Sequence, residues 1–180
     1  IQAWVALPAA DEECDPSFVH LAGDSLPQWQ DRGVTGQLIA GSAYGLTAAA
    51  PVFSPLFYAD LQLAPGATAE LPTGYPERAL YVASGAIECA GQAFGSGQMV
   101  VVGHGAAQFR SDSGARVMVL GGEPVGERFL YWNFVSSSHE RLEQAAADWR
   151  AGRMKLPDAD DGEFIPLPEG PIPPAPRAAS

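Results

Sequence analysis

The stretch from Leu61 to Gln108 decides the fold, and it reads LQLAPGATAELPTGYPERALYVASGAIECAGQAFGSGQMVVVGHGAAQ. Gly and Pro interrupt its short apolar runs at close intervals, as expected of strands joined by tight turns. The pattern predicts strands at Phe57–Leu63, at Ala79–Ala83 (ending at Gly85) and at Met99–Val102 (buried because of its continuous β-branched run of valines), and a hairpin over residues 87–94. Many short strands with frequent turns indicate an all-β sandwich or barrel.

Segments outside this stretch extend the β pattern. Further strands are predicted at Ile1–Pro8, Ser17–Leu21, Val34–Gly41, Gln108–Ser111 and Arg116–Leu120, and loops at 26–29 and 44–55. Asp11–Asp15 is predicted to be a solvated acidic turn. We divide the chain into N-terminal strands with a connecting segment (1–50), a core (51–128), a C-terminal strand, helix and EFIPLP segment (129–168), and a Pro- and Ala-rich disordered tail (169–180).

One helix is predicted near the C-terminus, at about 137–152. It follows the aromatic run at 129–135, and Ser137 and Glu140 have the spacing of a capping box. An apolar stripe consists of Leu142, Ala145, Ala146 and Trp149, which fall at i, i+3, i+4 and i+7. Gly152 then suits a left-handed helix cap.

Composition excludes several classes of function. The net charge is −11 and the only lysine is Lys155, so the chain has no basic patch for nucleic acid or an anionic membrane. It contains no apolar run of 18 residues and no signal peptide pattern. Cys14 and Cys89 have no metal-type spacing, which favours a reducing, cytoplasmic setting.

The glycine spacing of the core resembles the cupin superfamily, which implies a jelly-roll barrel (a double-stranded β-helix). The first cupin motif fits between Gly66 and Gly85, and the second begins at Gly97 and continues through Gly103 and Gly105. The four metal-ligand positions of these motifs are Pro72, Gly74, Arg78 and Gln108. None of these residues binds a divalent transition metal well, so no metal site and no catalytic residue is predicted.

Arg78 and Gln108 remain candidates for binding a small ligand. Arg78 could orient an anionic group or form a salt bridge at the barrel mouth, and the salt bridge is the more common arrangement. The three histidines are interpreted as ordinary polar residues. His20 lies in a strand and has no second ligand at metal spacing, His104 lies in a turn one residue off any cupin ligand position, and His139 lies on the surface in the first turn of the helix.

The C-terminal region narrows the resemblance to one family. The sequence GGEPVGERFLYWNFVSSSHERLEQAAADWRAG, followed by EFIPLP, resembles the C-terminal part of pirin-family proteins, and IQAWVALP resembles the exit from their first cupin domain. The resemblance implies a two-cupin protein whose first domain holds iron through three His and one Glu. Some members have quercetin 2,3-dioxygenase activity, and animal members are nuclear transcription cofactors.

No segment here matches that first-domain metal motif, and the chain begins with Ile1. We therefore expect that the N-terminal metal-binding domain is absent from this chain, that the chain itself has no cofactor, and that iron belongs to that other domain. The expected partner is the N-terminal cupin domain of the same protein or another copy of the chain.

Three functions remain open. The first is a metal-free, structural cupin half that supports the metal-binding domain and is not itself an enzyme. The second is a free-standing cupin that binds a small molecule in its barrel. The third, least favoured, is a metal-dependent dioxygenase with an improvised ligand set such as His104, Glu88 and Gln108.

Overall fold

The computed structural model describes residues 1–103, 105, 107–154 and 165–170. The chain forms two compact units. The barrel unit is Asp15–Pro124, and the terminal unit combines Ile1–Cys14 with Val125–Ser180. No helix among the described residues has the length and apolar character needed to span a bilayer.

Antiparallel strands build the barrel unit. In chain order they are β1 Gln28–Asp31, β2 Val34–Ala43, β3 Leu46–Thr47, β4 Leu56–Leu63, β5 Ala67–Glu70, β6 Glu77–Cys89, β7 Gln92–Gly95, β8 Met99–Val102, β9 Gln108–Ser111 and β10 Ala115–Gly122. Their order in the sheet is β1-β2-β4-β10-β6-β9-β5, with β3 on β2 and with β7 and β8 on β6. Alternate residues point inward, and the largest of them, Phe57 and Phe109, are fully buried. The all-β prediction is confirmed.

Strand β6 does not end at Gly85 as predicted, because Gly85 bends the strand instead. Residues 77–85 pair with β10 and β8, whereas residues 86–89 pair with β7 and β9. Gly85 has a φ of +78°, and a Cβ there would lie 2.4 Å from the Gly114 carbonyl oxygen. Only glycine permits this approach, so one strand serves both parts of the sheet.

Other strand predictions need correction. Ile1–Pro8 and Ser17–Leu21 are not strands, because neither pairs with a neighbouring strand in the described chain, and β1 covers part of the predicted loop at 26–29. Strand β8 is not buried: Met99 is 56% exposed and Val101 is 79% exposed. The reason is that β8 is an edge strand that pairs only with β6 among the described residues.

The terminal unit contains a hairpin and one helix. The hairpin is β11 Phe129–Tyr131 with β12 Phe134–Ser136, and the helix is α1 His139–Arg150. Leu142 and Ala146 pack against Tyr131, which confirms the predicted apolar stripe. The predicted tail from 171 onward and the first two residues of the EFIPLP segment lie outside the described residues.

The C-terminal cap has the predicted type, whereas the predicted capping box of Ser137 and Glu140 is not formed, because Ser137 binds Glu12 through its amide and hydroxyl. The Ser138 hydroxyl accepts from the Arg141 amide, so Ser138 is the N-cap in place of Ser137, whose amide and hydroxyl are bound elsewhere. At the other end, Gly152 has a φ of +64°. The Arg153 amide donates to the Asp148 carbonyl and the Gly152 amide to the Trp149 carbonyl, which is a Schellman cap.

Candidate functional site

Arg78 lies at the centre of the cupin motif positions and is only 2% exposed. Its Nη1 donates to the Pro72 carbonyl at 3.1 Å, and its Nη2 donates to the carbonyls of Gly103 and Gly105, the latter at 2.7 Å. The guanidinium thus joins a residue of the first motif to two residues of the second. Each bond is assisted by the positive charge, and the three together fix the loops that bring these carbonyls to one point.

The neighbouring strands make room for this side chain. Arg78 pairs with Gly121 of β10 on one side and with Val102 of β8 on the other. A Cβ at Gly121 would lie 3.0 Å from Arg78 Cγ and 2.4 Å from the Glu77 carbonyl oxygen. The glycine therefore allows the aliphatic part of Arg78 to cross the sheet without displacing backbone.

The motif positions do not all converge as the sequence suggests. Pro72 and Arg78 meet, whereas Gln108 donates instead to Glu70 Oε1, on the neighbouring strand β5. Gly74 has open space where a side chain would point. The salt bridge considered for Arg78 is not found among the described residues, since the partners of its guanidinium are neutral carbonyls.

A divalent metal does not fit this centre. The permanent cation of Arg78 stands at the position that a carboxylate occupies in the metal-binding motif, and it engages the carbonyl oxygens around it. Within the described ranges, no group of three or more His, Cys, Asp and Glu side chains could hold a metal ion. In the improvised set, Glu88 pairs with Arg110 at 2.9 Å and Gln108 with Glu70, and His104 lies outside the described residues.

A cavity of about 520 Å³ opens between β1, β2 and β5 of the barrel unit. Trp29 and Tyr44 stack there with ring centroids 4.4 Å apart. The Tyr44 hydroxyl donates to the Glu70 carbonyl at 2.9 Å, and burial raises the pKa of that hydroxyl. Gln108 also lines the cavity, whereas Arg78 is not among its lining residues.

Sequence reasoning missed Trp29, Tyr44 and Glu70. It assigned the two aromatic residues to loops on either side of the Val34 strand. The signal present in the sequence was the Tyr44-Gly45 pair, since glycine there indicates a turn. In the structure Tyr44 adopts a φ of +55° in the turn after β2. A left-handed tyrosine is strained, and such strain is concentrated at sites with a specific role.

A second polar centre, in the terminal unit, corrects the prediction of a solvated acidic turn. Glu12 is 12% exposed and forms an ion pair with Arg128 Nε at 2.8 Å. Its carboxylate also accepts from the Ser136 hydroxyl and from the Ser137 amide and hydroxyl. Burial alone would raise the pKa of the Glu12 carboxyl, but these hydrogen bonds and Arg128 lower it overall.

Comparisons with known proteins agree with this architecture. The family model of the pirin C-terminal cupin domain matches residues 58–155. A pirin-like protein of Caulobacter vibrioides is 56% identical over 171 residues, which cover 94% of this chain and 59% of that protein. Human pirin is 26% identical over 160 residues, which cover 83% of this chain and 55% of that protein.

A solved structure shows the same fold. The crystal structure of a quercetin 2,3-dioxygenase from Acinetobacter baumannii superposes with a TM-score of 0.82 at 26% identity, over 93% of this chain and 57% of that one. The cupin-type fold with one C-terminal helix is therefore confirmed. The chain spans a little over half the length of the curated relatives that it matches.

Proposed function

Since residues 58–155 match the C-terminal cupin domain of pirins, this chain belongs to the pirin family, and we propose that its barrel unit is a metal-free cupin that supports a second, metal-binding cupin domain. We assign no catalytic residue to it. Iron, and any chemistry of the quercetin dioxygenase type named for a structural relative, belong in this proposal to that other domain.

The buried Arg78 guanidinium carries the proposal. A cupin that binds a metal needs several ligand atoms aimed at one open position. Here the carboxylate position of the first motif is taken by a side chain that cannot lose its charge and that is bonded to the Pro72, Gly103 and Gly105 carbonyls. These bonds hold the motif loops in one arrangement, and a rigid scaffold is what a supporting domain provides.

An exposed apolar edge supports a docking role. Met99 and Val101 project from the same face of β8, and this strand has one open edge among the described residues. Exposed apolar side chains next to unpaired strand atoms favour association with another chain or domain. The partner in our proposal is the metal-binding cupin domain of the same protein or another copy of this chain.

The test measures association. The chain is mixed with the part of the Caulobacter vibrioides pirin-like protein that it does not match, and its own oligomeric state is measured by sedimentation. Binding of that part identifies a domain partner, and a dimer identifies a second copy. The double variant Met99→Lys/Val101→Lys should abolish either association, while Gln28→Lys/Gln30→Lys, which adds the same charge at two exposed positions of β1, should not. A monomer that binds nothing would refute the supporting role.

A second candidate function is binding of a small aromatic molecule in the cavity beside Trp29. Its volume of about 520 Å³ lies in the range of ligand pockets, and it combines the Trp29–Tyr44 ring pair with the polar groups of Glu70 and Gln108. Ligand binding should quench Trp29 fluorescence, and Gln108→Ala should weaken it. Arg78→Lys should leave it unchanged, because Arg78 does not line the cavity.

We infer a cytoplasmic location from the two thiols. Neither Cys14 nor Cys89 forms a disulfide, and burial raises the pKa of the Cys89 thiol, which keeps it protonated and unreactive. Cell fractionation of the tagged protein tests this location. Recovery from an oxidising compartment with modified Cys14 would contradict it.

A further inference from the structure

In the terminal unit, the segment Ile165–Gly170 lies on an aromatic surface. Trp149 Nε1 donates to the Ile165 carbonyl at 2.9 Å, and the Tyr131 hydroxyl donates to the Pro168 carbonyl at 3.5 Å. Between these two contacts, Leu167 packs against the apolar cluster that contains Tyr131. Ile165–Pro168 is thus bound at both ends through its main chain and in the middle through an apolar side chain.

The sequence of this segment predisposes it to one conformation. Pro166 and Pro168 each fix φ near −65°, and each proline pushes the residue before it toward extended backbone. Ile165-Pro166-Leu167-Pro168 therefore favours the polyproline II helix, which makes no internal hydrogen bonds. Its carbonyls are consequently available to outside donors, and here they accept from an indole and a phenol.

The surface under the segment is built from packed aromatic rings. The Trp132 ring meets Trp149 edge-on at 5.4 Å and Phe134 edge-on at 5.4 Å. Trp132 holds a φ of +54° at the β11–β12 turn, a conformation that is strained for tryptophan. In this strained conformation the Trp132 indole lies against Trp149 of α1, beside the segment.

We propose that Tyr131, Trp132 and Trp149 form a recognition site for proline-rich segments of the type apolar-Pro-apolar-Pro, and that Ile165–Pro168 is its intramolecular ligand. A proline-rich segment of another protein binds there by displacing the chain's own. Aromatic grooves that read polyproline II segments use this chemistry, in which rings cradle prolines and a tryptophan N–H or a tyrosine O–H bonds a carbonyl.

Two observations support displacement. The Tyr131 hydroxyl lies 3.5 Å from the Pro168 carbonyl oxygen, which is at the long limit of a hydrogen bond, so this contact of the intramolecular ligand is weak. A cavity of about 430 Å³, bordered by Arg150 and residues 166–170, lies beside the segment and leaves room for a longer peptide.

To test this, the peptide IPLPEG is titrated into the full chain and into the variant Pro166→Ala/Pro168→Ala. Its affinity is measured by tryptophan fluorescence and by calorimetry. The variant weakens the internal ligand, so it should bind the peptide about tenfold more tightly than the wild type. In the same background, Trp149→Phe keeps a ring and removes the donor, and it should lose about tenfold in affinity. Trp29→Phe, in the barrel unit, is the matched control and should change nothing.

Three results would overturn the proposal: equal affinity of the wild type and the double variant, unchanged affinity in Trp149→Phe, or equal binding of the control peptide IALAEG. If Trp149→Phe does not fold, as judged by circular dichroism, Tyr131→Phe replaces it. That variant loses only a hydroxyl, and it must still weaken binding of IPLPEG.

Discussion

Two arginines whose side chains are largely covered, one in each unit, have opposite kinds of partner. Arg78 in the barrel unit donates to the neutral carbonyls of Pro72, Gly103 and Gly105. Arg128 in the terminal unit, with its side chain 11% exposed, pairs with the Glu12 carboxylate and donates to the Leu7 carbonyl. The Arg78 guanidinium is bonded through its two Nη atoms to neutral carbonyls, whereas the Arg128 guanidinium is part of a charged network that also contains the serines before α1.

The difference separates two ways in which a buried charge can organise a fold. The carbonyl partners of Arg78 do not titrate, so that centre works as a permanent cross-link between the motif loops. The Glu12 centre joins residues from opposite ends of the sequence, and its strength depends on the ionisation of one carboxylate. Substitutions can therefore test each centre independently.

The largest effect is expected from Arg78→Met. The change removes three charge-assisted bonds from a guanidinium that is itself buried, so the barrel unit should lose about 3–5 kcal/mol of unfolding free energy. Hydrogen exchange of the β6 and β10 amides measures this loss. Arg110→Met, which removes an exposed arginine from β9, is the control and should have a much smaller effect. A loss in Arg78→Met no larger than that of the control would contradict the cross-linking role.

Gly121→Ala should disturb the same centre without touching the guanidinium. The added methyl group would meet the Glu77 carbonyl oxygen and Phe57, so we expect a loss of about 1–3 kcal/mol in the barrel unit. Gly74→Ala is the matched control, because a methyl group there points into open space. Urea unfolding of both variants checks the prediction. Equal unfolding midpoints would show that the packing around Arg78 does not require a glycine at position 121.

Glu12→Gln should destabilise the terminal unit by about 1–2 kcal/mol, because it removes the charge from the hydrogen bonds with Ser136 and Ser137 while keeping the shape. Exchange of the α1 amides should rise, and exchange in β6 should not. Glu13→Gln tests an exposed ion pair with Arg141 and should change less. If Glu13→Gln destabilises the terminal unit more than Glu12→Gln does, the Glu12 network is not the main polar contact that stabilises this unit.

The smallest effect is a difference in pH dependence. The folded-state pKa of Glu12 lies below its ordinary value of 4.5, so its contribution is complete above that value and is lost as the pH falls through the lower, folded pKa. Thermal melts below pH 4.5 should therefore show a shallower loss of stability in Glu12→Gln than in the wild type. Arg78→Lys should lose stability with falling pH as steeply as the wild type does. If Glu12→Gln and the wild type also show the same dependence of stability on pH, the Glu12 network does not contribute.

The sequence predicted the parts of the fold that depend on local pattern. Short strand-like segments bounded by turn residues located β4, β9 and β10, and the capping residues located α1 to within two residues at each end. The glycine spacing also brought Pro72 and Arg78 together correctly, because that spacing encodes the return of the chain to one point in the barrel. Local rules were insufficient at Ile1–Pro8, where the alternation is present but no described strand pairs with it.

The sequence motif placed Pro72 and Arg78 near each other, but it did not predict the partners of the Arg78 guanidinium. The side-chain partners of Arg78 are backbone carbonyls, whose directions depend on loop geometry that residue types do not reveal. The Glu12 network was missed because its members are brought together only by the tertiary fold. Exposure of Val101 was missed for a related reason, since a β-branched run predicts a strand but not whether that strand lies at an edge.

The most direct test of the central claim is the metal content of the purified chain after incubation with iron, nickel and zinc, followed by dialysis and plasma mass spectrometry. If the Arg78 guanidinium occupies the metal position of the barrel, less than about a tenth of an equivalent of any metal should remain. Retention of about one equivalent through dialysis would contradict this account and would direct attention to ligands other than the motif positions.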